Sequence, residues 1–132
     1  MEGNPPTLVV SPHWESQRAL LHILDNLKVK TFASATLAEA AEVLSRNEVA
    51  LVFCEDRLVD GTYRDLLQSL RTWNQRAHTV VTTRVGEWEE YLEALALGAF
   101  DMLQRPYRST DVELNVLRAM HLSDKKSERA AA

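Results

Sequence analysis

The residues best suited to chemistry follow the apolar run Leu51–Cys54, where a predicted buried strand gives way to a loop. The loop opens with Glu55, Asp56 and Arg57, and it continues to Asp60-Gly61, a pair typical of tight turns. Carboxylates beside a guanidinium can form bidentate ion pairs or, together with other oxygen ligands, hold a hard cation such as Mg2+. We therefore take this loop as the centre of a candidate site.

The elements that must position this loop are indicated by apolar runs that alternate five times with helical patterns. After each run, apolar residues recur at the three- and four-residue spacing of a helix core face. The predicted fold class is α/β, with a single doubly wound parallel sheet of five strands flanked by five helices. The predicted strands are Thr7–Val10, Lys30–Ala33, Ala50–Cys54, Thr79–Thr83 and Phe100–Leu103.

Several short motifs in this order resemble the receiver domain of response regulators, which is phosphorylated on an aspartate in two-component signalling and phosphorelays. They are the apolar run with its acidic loop at 51–61, the pair Gly98-Ala99, and Arg105-Pro106 in place of the family's Lys-Pro. Thr83 matches the family's Thr or Ser that bonds phosphoryl oxygens, and Met102 stands where the family often has an aromatic switch residue. The resemblance implies a flavodoxin-like fold with strand order 2-1-3-4-5.

That strand order would bring two distant loops together at the point where the order reverses, which is where ligands bind in such sheets. Ser11-Pro12-His13 leaves the first strand and Glu55–Arg57 leaves the third. Thr83 ends the fourth strand and Arg105-Pro106 follows the fifth, so both should face the same crevice. His13 would be close enough to contact a ligand or phosphate, although a surface role is the simpler expectation.

The chain departs from the family at the positions that carry its chemistry. Glu55 occupies the slot of the phosphorylated aspartate, and Ser11 and Pro12 replace the two acidic residues that hold Mg2+. Serine offers one neutral oxygen and proline none, so we expect Mg2+ binding to be absent or weak. The longer Glu55 side chain moves the attacking oxygen by about one bond, and such misplacement can cost on the order of 100-fold in rate. We expect neither enzymatic activity nor phosphorylation by the family's usual route.

Three interpretations of the acidic loop stay open. Glu55 could mimic a phosphorylated aspartate with one negative charge, paired to Arg105 or Arg57. Alternatively, Glu55 is a tolerated remnant that forms a salt bridge for stability. Asp56 would be the acceptor if the loop were shifted by one residue, but strand alternation should turn it away from the pocket that it would share with Thr83.

Three functions follow from these interpretations. The preferred one is a receiver-like signalling module regulated by binding of a histidine kinase, an output domain or another signalling protein, with homodimerisation through the fourth and fifth helices as one arrangement. The alternative is a working phosphorelay regulator phosphorylated at Asp56 or Glu55. A flavodoxin-like binder of a phosphate-bearing cofactor is less favoured, because the loop after the first strand lacks glycine and has Pro12 where a backbone amide would bind phosphate.

Composition sets outer limits on these functions. A chain of 132 residues fits one domain. With 15 Lys and Arg against 19 Asp and Glu and no long basic run, direct nucleic-acid binding is not expected. No apolar run approaches the roughly 20 residues of a membrane span, so we expect a cytoplasmic protein without membrane contact. The single cysteine, Cys54, excludes a disulfide framework.

We divide the chain into an N-terminal extension at 1–6, the receiver-like domain at 7–122, and a charged tail or linker stub at 123–132, which we expect to be frayed.

Overall fold

Seven strands and five helices make up the part of the chain that the computed structural model describes, which is residues 6–73 and 75–131, with side chains to residue 122. The strands are β1 Thr7–Val10, β2 Thr31–Ser34, β3 Leu51–Glu55, β4 Arg57–Leu58, β5 Gly61–Thr62, β6 His78–Thr83 and β7 Asp101–Gln104. The helices are α1 Trp14–Asn26, α2 Leu37–Arg46, α3 Tyr63–Thr72, α4 Trp88–Ala96 and α5 Ser109–Ala131.

Five of the strands form one parallel sheet in the order β2-β1-β3-β6-β7. Counted without the short β4 and β5, this is the predicted order 2-1-3-4-5, and the predicted α/β fold is confirmed. The central strands β1 and β3 are buried throughout, which is why they read in the sequence as continuous apolar runs. Val10 of β1 pairs with Cys54 of β3, and Glu55 pairs with Thr82 of β6, so the three strands end at one edge.

Helices cover both faces of this sheet, and each face has its own apolar core. On one face of the sheet, the apolar sides of α1 and α5 pack against the central strands. The helices contribute Leu20, Leu24, Val112 and Val116, and the strands contribute Val9, Phe53 and Val80. On the other face α2, α3 and α4 contribute Leu44, Leu66, Leu67, Leu70 and Ala94 around Leu8, Val52 and Val81. The two layers hold the sheet rigidly, so the loops at its carboxyl edge start from fixed positions.

The loop after β3 is built as a small antiparallel hairpin of β4 and β5, which the sequence does not predict. Asp60 lies at its tip, and its carboxylate accepts hydrogen bonds from the backbone amides of Leu37 at 2.9 Å and Ala38 at 3.1 Å. These amides open α2 and have no partner within the helix. The bond from Leu37 is the main cause that lowers the pKa of Asp60. The hairpin therefore caps a helix more than 20 residues away in sequence.

Gly61 is required at the next position, because its φ of 154° lies in the region that side chains rarely adopt. A Cβ atom built there would lie 2.5 Å from Leu37 Cδ1 and 2.6 Å from Asp65 Oδ2. Thr62 then caps α3, and Asp65 completes a capping box by accepting from the Thr62 amide at 2.9 Å. Asp60 and Gly61 thus have the turn role that the sequence predicts, with the capping of α2 in addition.

The last helix, α5, runs without a break to Ala131. The charged tail at 123–132, for which we expect fraying or a linker stub, is therefore helical through Ala131, and the boundary drawn at residue 122 lies inside a helix. The extension at 1–6 falls outside the described residues except for Pro6. Within residues 6–73 and 75–131, no helix is long and apolar enough to cross a membrane.

Candidate functional site

A cavity of about 860 Å3 opens at the carboxyl edge of the sheet, where β1, β3, β6 and β7 end. Parallel strands bring their carboxyl ends to one side, so residues from loops far apart in sequence meet there. The predicted site residues that line this cavity are Pro12, His13, Glu55, Asp56, Arg57, Thr83 and Arg105. Ser11 is buried beneath it and contacts Glu55 directly. The structure therefore brings most of the predicted residues together at one edge of the sheet.

Glu55 is the centre of this cluster and is almost completely buried, with 2% of its surface exposed. Ser11 Oγ donates a hydrogen bond to Glu55 Oε1 at 2.8 Å, and Arg105 Nη1 lies 3.4 Å from the same oxygen. His13 Nδ1 lies 2.5 Å from the other carboxylate oxygen, Oε2. Groups from the loops after β1 and β7 thus engage both oxygens of the β3 carboxylate. A buried carboxylate needs such partners, since its desolvation is otherwise costly.

The contact between His13 and Glu55 differs from the surface role expected for this histidine. His13 is the residue before α1, and its extended backbone (φ −100°, ψ 113°) accompanies a ring that faces back toward β3. Its amide also donates to Ser11 Oγ at 3.2 Å. The imidazole bridges the first and third loops while its side chain stays 62% exposed.

Of the two arginines predicted as partners of Glu55, only Arg105 forms an ion pair with it. That contact uses one guanidinium nitrogen and one carboxylate oxygen, so it is not the bidentate pair that arginine and glutamate can form. Arg105 Nη1 also donates to Ser16 Oγ in the first turn of α1. Arg57 lies in β4 and lines the cavity, but no ion pair joins it to Glu55. Arg57 instead pairs with Thr62 across the hairpin.

The prediction that strand alternation turns Asp56 away from Thr83 is wrong. Thr83 Oγ1 donates a hydrogen bond to Asp56 Oδ2 at 3.2 Å, and both residues line the cavity. The alternation rule fails here because β3 ends at Glu55, and Asp56 is a bend residue with its own backbone direction. Its amide still extends the ladder by donating to Thr82 O at 2.8 Å. Two adjacent carboxylates therefore face one cavity with different partners.

The remaining predicted positions, Pro106 and Met102, lie beside the cavity instead of on its wall. Pro106 is exposed and follows Arg105 through a cis peptide bond. Met102 is half-buried in β7 and lines a separate cavity of about 420 Å3 together with Thr83, Trp88 and Tyr91. Thr83 is thus the residue that the two cavities share.

Three residues that sequence reasoning missed also support the site. Gln17 Nε2 donates to the carbonyl oxygens of Ser11 at 3.3 Å and Ser34 at 3.1 Å, which ties the ends of β1 and β2 together. Ser16 receives the bond from Arg105 described above. The Tyr107 hydroxyl hydrogen-bonds to the Thr82 side chain, and burial is the main cause that raises the pKa of that hydroxyl. Ser16 and Gln17 lie in the first turn of α1, where apolar periodicity predicts the helix but not the polar contacts of these two residues.

The chemistry of the cluster is that of a charge-compensated carboxylate. Cys54, directly before Glu55, is fully buried, and burial together with the neighbouring carboxylates raises the pKa of its thiol, so it is not a nucleophile here. Among the side chains that the structure describes, which are those of residues 6–73 and 75–122, no group of three or more His, Cys, Asp or Glu could hold a metal ion. What the cluster does is join the loops that follow β1, β3 and β7.

Comparison with known proteins gives two curated relatives and many solved structures of the same fold, although no family model matches the chain. The response regulator protein PilR of Pseudomonas aeruginosa is 31% identical over 114 residues, which cover 86% of this chain and 26% of that protein. The photosynthetic apparatus regulatory protein RegA of Rhodovulum sulfidophilum is 27% identical over 114 residues, 86% of this chain and 62% of RegA. The chain thus spans about a quarter of the first relative and less than two thirds of the second.

Among solved structures, the receiver domain of the Francisella response regulator 1452 superposes with a TM-score of 0.83 at 18% identity. The superposition covers 91% of this chain and 99% of that one. At this identity the likeness shows the fold, whereas the sequence similarity to PilR covers the same region at a higher identity.

Proposed function

The chain is a receiver domain of the response-regulator type, and from this premise we propose that protein binding regulates it in place of phosphorylation on an aspartate. The observation that carries the proposal is the buried Glu55 carboxylate, both oxygens of which are engaged by Ser11, His13 and Arg105. Each oxygen of this carboxylate already has a partner within the protein, which opposes its attack on a phosphorus atom. The module therefore acts as a binding partner, not as an enzyme.

The donor groups beside Glu55 do not fit Mg2+, which prefers carboxylate and phosphate oxygens in a near-octahedral shell. Ser11 commits its hydroxyl proton to Glu55, and Pro12 carries no side-chain ligand. His13 and Arg105 instead direct nitrogen donors at the carboxylate. Without a cation that offsets the charge of a transferring phosphoryl group, transfer to this site loses its main electrostatic support. We propose that the module needs no cofactor.

The same contacts supply what phosphorylation otherwise provides, a negative centre that holds neighbouring loops in one arrangement. Glu55 carries a single charge, and its partners come from the loop after β1 and the loop after β7. A switch of this kind changes state only if a ligand binds its two states with different free energies. In this protein that ligand is another protein, of the histidine kinase, output domain or other signalling class.

An exposed apolar surface on α4 and the loop before it supports protein binding. Val85, Trp88, Leu92 and Leu95 are exposed, and the Trp88 ring lies 5.5 Å from the Tyr91 ring. Tryptophan and tyrosine are frequent anchors of protein interfaces. A homodimer through α4 and α5 is one arrangement that would cover this surface.

The second candidate function, a working phosphorelay regulator, is favoured by one observation. Asp56 faces the cavity and accepts a hydrogen bond from Thr83, so its carboxylate is nearer to a reactive position than strand alternation predicts. In this function Asp56 takes the phosphoryl group and Thr83 contacts it. The two functions differ in a covalent product and can be separated by mass.

The test is the intact mass of the purified protein after incubation with Mg2+ and acetyl phosphate, with peptide mapping of any added group. We expect no acyl phosphate on Glu55 or Asp56. As a matched positive control, the triple variant Ser11→Asp, Pro12→Asp, Glu55→Asp restores the family's acidic set on the same scaffold. Addition at Asp56 that is lost in Asp56→Asn would overturn the proposal and establish the second function. A flavin absorption spectrum in the purified protein would instead indicate a cofactor binder.

A further inference from the structure

We infer that His13 is a phosphoryl acceptor whose Nε2 atom takes a phosphoryl group from a donor with a labile P–N bond, while Glu55 positions the ring. The inference rests on the proposed function, in which Glu55 is held in an internal contact and is not itself phosphorylated. It assigns a covalent modification site to the mouth of the cavity, on a residue that lies 42 positions from Glu55 in sequence.

The first support is the arrangement of the two side chains. Ser11 and Arg105 both contact Glu55 Oε1, so Oε2 is left to His13 Nδ1 alone. An ionised carboxylate only accepts hydrogen bonds, and the proton between the two groups is therefore assigned to Nδ1. In a neutral imidazole the other nitrogen, Nε2, then carries the lone pair. A carboxylate on one ring nitrogen is the arrangement that orients a histidine and stabilises its positive form.

The second support is access to Nε2. Glu55 is almost fully buried, but the His13 side chain is 62% exposed and lines the cavity of about 860 Å3. Among residues 6–73 and 75–122, no side chain or backbone group hydrogen-bonds to His13 Nε2. The ring is thus fixed at its inner nitrogen and open at its outer nitrogen.

The third support is the charge around the cavity. Its wall carries the guanidinium groups of three arginines and, besides Glu55, three carboxylates, so a phosphorylated donor meets no uniform negative field. The arginines are Arg57, Arg84 and Arg105, and the carboxylates are Glu15, Asp56 and Glu90. Guanidinium groups are the side chains best shaped to bind phosphoryl oxygens.

The transfer balances without a metal or a redox partner. The lone pair of His13 Nε2 forms the new N–P bond, and the P–N bond of the donor breaks. With phosphoramidate as the donor, the leaving group is ammonia, which keeps the three hydrogens of the donor's ammonium group. The product is a phosphorylated imidazolium that retains its Nδ1 proton. Its positive charge is offset by Glu55, so the carboxylate stabilises the product without being consumed.

The chain contains its own control for intrinsic histidine reactivity. His22 lies on α1, nine residues after His13, and its Nε2 atom lies 3.5 Å from Asn26 Nδ2 in an exposed contact. It therefore has access to solvent without a carboxylate partner. If exposure alone decides the reaction, the two histidines should react alike.

The experiment is treatment of the purified chain with phosphoramidate in the absence of Mg2+, followed by peptide mapping under alkaline conditions that preserve phosphohistidine. We expect His13 to be phosphorylated about 10-fold faster than His22, because the Glu55 carboxylate offsets the positive charge that develops on the His13 ring. In Glu55→Gln the His13 rate should fall to that of His22, the His22 rate should stay unchanged, and circular dichroism of the variant checks that the chain is folded. His13→Gln should remove the fast addition alone.

Equal rates at His13 and His22 in the native chain would overturn the inference and leave the proposed function standing. An unchanged His13 rate in Glu55→Gln would equally overturn the positioning role of Glu55. Failure of the proposed function looks different, because an acyl phosphate on Asp56 or Glu55 is cleaved by hydroxylamine, whereas the phosphoramidate bond on His13 is cleaved by acid.

Discussion

Glu55 and Asp60 lie five residues apart and each joins distant parts of the chain, yet they do so in opposite surroundings. Glu55 is buried at the carboxyl edge of the sheet and is bound by side chains, Ser11, His13 and Arg105. Asp60 lies at an exposed hairpin tip and is bound by backbone amides that open α2. The hydrogen bonds of Glu55 depend on the identity of the side chains around it. Those of Asp60 depend only on the presence of a helix start, which supplies backbone amides.

This difference separates the part of the molecule that carries function from the part that holds the scaffold. Backbone amides at a helix start are present whatever the sequence of the helix, so the Asp60 contact persists when α2 changes. The partners of Glu55 are individual side chains, and a substitution at any of the three alters the charge and geometry of the site. The comparison predicts that substitutions near Glu55 have large effects and that substitutions at exposed contacts have small ones.

The largest effect is expected for Glu55→Ala, which removes the buried charged acceptor that Ser11 and Arg105 share. Removal of one member of a buried, hydrogen-bonded charge cluster costs about 3 kcal/mol of unfolding free energy. Urea denaturation followed by circular dichroism measures this loss. Glu90→Ala provides the matched control, since Glu90 is an exposed carboxylate on the wall of the same cavity. If Glu55→Ala loses no more unfolding free energy than Glu90→Ala, the contrast between buried and exposed carboxylates fails.

A smaller, pH-dependent effect is expected for Asp60→Ala. Hydrogen bonding to the Leu37 amide lowers the pKa of Asp60 below its ordinary value of 3.8. A carboxyl with a depressed folded pKa contributes its full stability above pH 3.8, and it loses that contribution as the pH falls through the folded value. The difference in urea midpoint between native chain and variant should therefore be constant near neutral pH and shrink in acid.

Asp25→Ala is the control for that pH series, because Asp25 is an exposed aspartate near the end of α1, away from any helix start. Its variant should not lose stability at neutral pH, since a negative charge at a helix carboxyl end is unfavourable. A difference between native chain and Asp60→Ala that stays constant down to pH 2 would contradict the role of the Asp60 charge.

The smallest effect is expected for Arg64→Gln at the contact between α3 and α4. Arg64 Nη2 lies 2.6 Å from Glu93 Oε1, but both side chains are about half exposed. Exposed pairs typically contribute about 0.5 kcal/mol, and salt screens them. A double-mutant cycle with Glu93→Gln measures the coupling at low salt and at about 1 M salt, where the Debye length is about 3 Å. Coupling that survives at high salt would show that this contact is not governed by exposure.

The fold could be predicted because its strongest signals are periodic. The continuous apolar runs of β1 and β3 specify strands buried on both faces, and the predicted strand ends agree with the structure to within one residue. Since parallel strands end at one edge, the meeting of Ser11, Glu55, Thr83 and Arg105 follows from the strand order. The two-residue strands β4 and β5 are too short for any periodicity to indicate them.

Details of the site depended on backbone directions that lie outside periodic elements. Asp56 follows the end of β3, so alternation no longer predicts where its side chain points. His13 precedes α1 in an extended conformation, and its contact with Glu55 depends on a rotamer that the sequence does not specify. Arg57 belongs to the hairpin that was not predicted and forms no ion pair with Glu55. These residues differ from expectation because loops, not strands, orient them.

Cys54, the one cysteine of the chain, lies in the central strand β3, so its reactivity reports how often that strand opens. Its thiol lies in the core between the sheet and the layer of α2, α3 and α4, and burial keeps it in the protonated form, so an alkylating reagent reacts with it only after this part of the core opens. The rate of alkylation consequently measures how frequently this region opens locally. Since Cys54 adjoins Glu55, any partner or modification that tightens the cavity will slow this labelling, with no probe added to the protein.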